Sequence, residues 1–221
     1  MSNYKRLTAV LIGGWFLFAF IAGARHVFEN AANRIGGTVA IAAVAPIVIF
    51  ALWFGLSPKF QEFALSLDPR ILTFAQSWRV LGAVFVVLEG FGLLPAVFAW
   101  PAGYGDIFIG ITAPFVAWKL ANASHRSSFI QWQILGITDL VFAVGLGTTA
   151  RLLSPDGASM APMTMLPLSL VPTFLVPLFF MVHVIAIAQA RRWKVVTGGS
   201  PSNGIAARRL RPCELSSESQ A

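Results

Sequence analysis

Six times along this chain an apolar run approaches the roughly 20 residues with which an α-helix crosses about 30 Å of hydrocarbon. The runs are Leu7 to Ala24, Gly37 to Leu56, Ile71 to Leu94, Gly105 to Leu120, Phe129 to Thr148 and Leu168 to Ala190. In lipid every backbone N–H and C=O needs an internal partner, so such runs must become helices or the wall of a closed barrel. The period-two alternation of a barrel wall is absent, which leaves helices. Composition agrees: 57% of the residues are hydrophobic and 11% charged, against roughly 25% charged in a soluble domain. The expected fold is all-α, a polytopic membrane protein with six transmembrane helices and the bilayer as its first partner.

The basic residues set the expected orientation. With the amino terminus inside, the inner segments hold twelve cations: Lys5, Arg6, Lys59, Arg70, Lys119, Arg126, Arg191, Arg192, Lys194, Arg208, Arg209 and Arg211. The outer segments hold three, Arg25, Arg34 and Arg151, and Arg79 falls within a span. This bias puts both termini in the cytoplasm of a cell with a bacterial-type inner membrane. Trp53, Trp78, Trp118, Trp132 and Trp193 fall near the inner boundaries, where an indole can stay partly hydrated, Trp100 marks the outer side and Trp15 is mid-span. The net charge of +7 does not imply nucleic acid, because the cations cluster at span ends and in the tail rather than along one amphipathic face. Cys213 is the single cysteine, so an intrachain disulfide and a paired-thiol site are excluded.

Between the second and third spans, Ser57-Pro58 opens a segment in which Phe60, Phe63, Ala64 and Leu67 recur at helical spacing opposite Lys59, Gln61, Glu62 and Ser66. This pattern predicts a short interfacial helix, and Asp68-Pro69 supplies the next helix with an N-cap and a first-turn proline. Residues 1–192 form the expected transmembrane domain and 193–221 a disordered cytoplasmic tail, rich in Gly, Ser and Pro at its start. A second reading of the first span is a cleaved signal peptide, since Ala22-Gly23-Ala24 follows Lys5, Arg6 and an apolar run. A faint internal repeat aligns Gln76-Ser77-Trp78-Arg79-Val80-Leu81-Gly82 with Ile130-Gln131-Trp132-Gln133-Ile134-Leu135-Gly136; its bland reading is the ordinary look of a helix entry.

Ionisable groups at membrane depth are costly, which makes a few residues conspicuous. Asp139 lies seven residues past Trp132, roughly 10 Å into the membrane, and His183 lies at a similar depth on the returning helix. They form a candidate proton-linked pair, against a packing hydrogen bond as the alternative. Glu89 and Asp106 flank the connection Pro95 to Gly103 and would share a depth if that turn is symmetric, giving two carboxylates able to share a proton or attract a cation. The plainer role for Asp106 is a first-turn acid at a helix start. Arg79 follows Trp78, and snorkelling to the inner headgroups accounts for it; the alternative is an ion pair with a buried carboxylate. His26 and Glu29, three residues apart, become neighbours if the first helix continues past Ala24, a weak metal candidate; His125 reads as a surface histidine.

With one histidine deep in a span, a bis-histidine haem within one protomer is disfavoured. His-Glu-x-x-His, a phosphate-binding loop with lysine, Gly-x-Ser-x-Gly and a dinucleotide fingerprint are all missing, so the residues name no cofactor and lean away from an enzyme. The expected function is movement or sensing of a small solute or cation through Asp139, His183, Glu89 and Asp106. A structural or accessory subunit, in a homo-oligomer or with a membrane partner, is the first alternative, and a membrane-embedded metal or redox enzyme the second.

Overall fold

A computed structural model describes residues 2–29, 36–153 and 157–193, and these residues are helical with no strand among them. The helices are α1 (Ser2–Ala24), α2 (Gly37–Leu56), α3 (Pro58–Leu65), α4 (Pro69–Gly90), α5 (Ala96–Phe115), α6 (Arg126–Leu153) and α7 (Val171–Arg192). Five segments, Tyr4–Ala24, Gly37–Leu56, Pro69–Gly90, Ala123–Ala150 and Val171–Arg192, are long and apolar enough to cross a membrane. On α1 and α2 the large side chains of Val10, Phe18, Ile41 and Ile49 are exposed. Such surface is unfavourable in water and suited to lipid tails, so these helices are those of a membrane protein.

α5 departs from expectation in two ways. The connection expected over Pro95 to Gly103 is helical, and the chain turns at residues 91–95 instead. Gly92 sits at φ +67°, its N–H donates to Glu89 O (2.7 Å), and Leu93 N–H donates to Leu88 O (2.9 Å); this Schellman arrangement ends α4, and Pro95 opens α5. Pro101 and Pro114 both lie inside α5, because a backbone shielded from water keeps its helical bonds and neighbouring helices absorb the local distortion. Trp100, Pro101, Tyr104 and Asp106 dilute its hydropathy, so α5 is absent from the five apolar spans. It is nonetheless well enclosed by the bundle, with Phe98, Ala99, Ala102, Gly103, Ile109, Gly110 and Ala113 buried.

Small residues explain that enclosure. A Cβ on Gly110 would run into the backbone of Val80, and one on Gly103 would meet the Val86 side chain and lie 3.2 Å from Gly82 O. The backbones of α4 and α5 therefore touch along their length, as small-residue interfaces allow in membranes. One apolar cluster above this contact joins Phe85, Leu94, Phe98, Ala150, Met160 and Met163; a second, towards the other end, joins Ile109, Ala113, Phe129, Trp132, Ala186 and Ala190. Trp132 faces into the bundle, and its indole N–H donates to Thr112 Oγ1 at 3.0 Å.

α3 forms where its pattern predicts. Ser57 Oγ accepts from Phe60 N–H (3.3 Å), Pro58 takes the first turn, and Phe60, Phe63 and Ala64 are the buried face. Phe60 stacks on Trp53 with ring centroids 3.9 Å apart, and Gln189 of α7 donates to the carbonyl of Leu67 at 2.7 Å. Asp68 Oδ1 caps α4 by accepting from Arg70 N–H at 2.8 Å. Residues 194–221, where the tail is expected, lie outside the described residues.

Candidate functional site

Between the two apolar clusters, α4 tightens into a 3-10 stretch over Gln76–Gly82. With three residues per turn, Gln76, Arg79 and Gly82 fall on one line, and all three are buried. Arg79 is 3% exposed, so it does not snorkel; the tightened turn aims it at the centre of the bundle, away from the headgroups. Its Nε donates to Asp106 Oδ1 on α5 at 2.7 Å, and Nη2 donates to Asp139 Oδ2 on α6. Nη1 donates to Gly136 O at 3.3 Å and lies 3.5 Å from His183 Nε2 on α7. One guanidinium joins four helices.

The network beyond His183 can be assigned from its anchored end. Thr73 Oγ1 donates to Pro69 O (2.7 Å), so its lone pair is what accepts from Gln133 Nε2 (3.1 Å). That orientation turns Gln133 Oε1 to His183 Nδ1 at 2.5 Å, and a carbonyl oxygen only accepts. His183 therefore carries its proton on Nδ1 and offers the Nε2 lone pair to Arg79. A doubly protonated ring would set N–H against N–H there, so the geometry suits the neutral imidazole.

Glycines make the room. A Cβ on Gly82 would collide with Asp106, on Gly105 with Asp139, and on Gly136 with the His183 ring. The aligned positions of the faint repeat also meet here: Arg79 and Gln133 hold the two ring nitrogens of the same histidine. Gly82 and Gly136, also aligned, each clear space for a polar side chain of a neighbouring helix.

The structure thus joins Asp139 and His183 through Arg79. Glu89 and Asp106 are not brought together. Because the turn is at residues 91–95, Asp106 packs on Gly82, seven residues and roughly 10 Å along α4 from Glu89. His26 and Glu29 also differ from expectation. α1 stops at Ala24, and His26 N–H donates to Gly23 O (3.0 Å) while Val27 N–H donates to Ala22 O (3.0 Å). His26 is the left-handed residue of a Schellman stop, at φ 58°, and the turn it makes brings Nδ1 to within 2.5 Å of Glu29 Oε1. Among the described residues, no group of three or more His, Cys, Asp or Glu side chains is placed to hold a metal ion.

Sequence reasoning missed Gln133, Thr73 and Gln76, whose amide donates to Phe179 O at 3.3 Å. Uncharged amides at membrane depth, and the shared Trp-x-x-x-Gly of Trp78–Gly82 and Trp132–Gly136, were the available signals.

No curated protein and no solved structure matches the chain. A family model does match, over residues 36–191, a stretch that starts after α1 and takes in every residue of the Arg79 network. The protein therefore belongs to the family described as Domain of unknown function (DUF8737).

Proposed function

We propose that this is a six-span inner-membrane protein that moves or senses a small solute or cation, with Arg79, Asp106 and Asp139 as its working group. One observation carries the reading: two carboxylates share a single buried guanidinium. With both ionised the group holds one net negative charge in a low-dielectric interior, whereas packing alone needs only a neutral pair. The surplus is met by a proton or by a second cation, and exchange of one for the other is the elementary step of proton-linked handling. His183, held neutral against Arg79 and Gln133, fixes the guanidinium from the fourth side.

In this reading α5 is the sixth span, since it runs antiparallel to α4 along most of its length. α3 lies along the inner boundary with its buried face on Trp53 and α7. Both termini are cytoplasmic, as the twelve-to-three cation bias favours, residues 1–192 are the membrane domain and 193–221 a cytoplasmic tail.

A pH dye sealed inside liposomes that carry the protein provides the test, with a panel from sodium and potassium to alkylammonium ions added outside. At least one cation should drive a pH change with the native protein. Asp139→Asn should reduce it by roughly tenfold or more while inserting and eluting normally. Undiminished flux in that variant, or none with the native protein across the panel, would sink the reading.

A second reading has its own support. The same Arg79 contacts lock four helices together, as they would in an accessory subunit whose partner copy or partner protein forms the pore. Stable co-purification of a membrane partner, with Asp139→Asn changing only assembly, would favour it.

A further inference from the structure

Two cavities meet at Asp106. The larger, about 320 Å³, opens between α4 and the start of α7; the smaller, about 110 Å³, lies towards α2 and α6. The rim of the larger one includes Trp78, Leu81 and Val84, all exposed on the surface that lipid would cover. Its inner wall is apolar, with Leu168 and Phe179, except where Arg79 and Asp106 reach it. A route therefore leads sideways from the hydrocarbon to a charged floor.

The floor has a definite sign. Four contacts occupy four of the five N–H groups of Arg79, and its charge is already met by two carboxylates, so an anion has little to gain there. Asp106 is engaged through Oδ1 alone, its side chain keeps 16% exposure, and Oδ2 has no hydrogen-bond partner among the described residues. A carboxylate oxygen only accepts, so the ligand group that meets it must donate, and a cation also cancels the surplus negative charge. The wall adds the second requirement: a small hydrated ion would lose its water against apolar side chains without replacement, whereas a cation with an apolar body fits.

We propose that this cavity binds a hydrophobic ammonium cation, admitted laterally from the bilayer between α4 and α7, with its charged end on Asp106 and its apolar body along Leu168 and Phe179. The inference rests on the functional reading above and names its substrate class. Since lipid tails are as apolar as the wall, the body gives access from the bilayer, which a small ammonium ion in water lacks, and the charge decides which of the amphiphiles within the bilayer is retained. A neutral analogue of the same shape should therefore bind poorly.

The full chain in lipid nanodiscs can be titrated with 4-phenylbutylammonium, 4-phenylbutanol and 4-phenylbutyrate, with methylammonium as a competitor lacking the apolar body. Saturable binding is expected for the phenylalkyl cation, roughly tenfold or more weaker for the alcohol, and none for the carboxylate; methylammonium should not compete at equal concentration. Asp106→Asn should weaken binding by roughly tenfold or more. So should Val84→Trp, which blocks the rim from an exposed position and leaves the charges untouched. Equal affinity for the alcohol, competition by methylammonium, or unchanged binding in Val84→Trp overturns the proposal. Val84→Trp also decides the matter if Asp106→Asn does not fold. Binding that follows these expectations without any flux in liposomes would remove the transport reading and leave the ligand class standing; flux with binding independent of Asp106 would do the reverse.

Discussion

The described residues hold two sets of close charged contacts, and they differ in almost every physical respect. His26 and Glu29 meet at 2.5 Å on an exposed turn, three residues apart, with the His26 side chain 69% exposed. Arg79, Asp106 and Asp139 come from three helices and are largely enclosed. Water and salt screen the first pair, which contributes about 0–1 kcal/mol at most. Little water screens the second, and loss of Arg79 leaves carboxylate charge stranded at a cost of about 3–5 kcal/mol. Proximity in sequence found the weak contact, and depth in the membrane found members of the strong one.

The sharpest way to break this contrast is Arg79→Met. It leaves Asp106 and Asp139 facing each other uncompensated, and thermal unfolding in detergent should show a loss of about 3–5 kcal/mol. Adding Asp106→Asn and Asp139→Asn to that variant should restore most of the loss, and failure to do so would mean that Arg79 acts through packing rather than charge. Next in size is Gly136→Ala, whose methyl would collide with the His183 ring; about 1–3 kcal/mol should be lost, with His183 displaced from Gln133. The smallest effect belongs to the surface pair. Glu29→Gln should change stability by less than about 1 kcal/mol and leave flux alone, and a large effect there would show that the exposed pair matters more than its exposure suggests.

Much of the architecture was legible in the sequence because hydropathy is one-dimensional. Five of the six expected apolar runs correspond to helices suited to a membrane, and Ser57-Pro58 and Asp68-Pro69 each cap a helix. The weak point was the segment from Pro95 to Gly103, read as a turn from its prolines and glycines. In water those residues punctuate a chain; within a bundle shielded from water, abandoning the helix would strand backbone groups, so α5 begins at Ala96. That shift in the turn moved Asp106 away from Glu89 and onto Gly82. The depths of Asp139 and His183 could be counted from boundary tryptophans and arginines. That Arg79 stands between them depends on the 3-10 stretch of α4, which no residue pattern announced.

By itself, then, the amino-acid order determined that the chain is helical and suited to lipid, and which side chains lie expensively deep within it. It could do so because the cost of leaving water acts residue by residue along the chain. Which of those side chains meet was left to the tertiary structure, since rotation and register between helices are set by close approach at Gly82, Gly103, Gly105, Gly110 and Gly136. A missing Cβ at these points lets the helices come near enough for one guanidinium to span them.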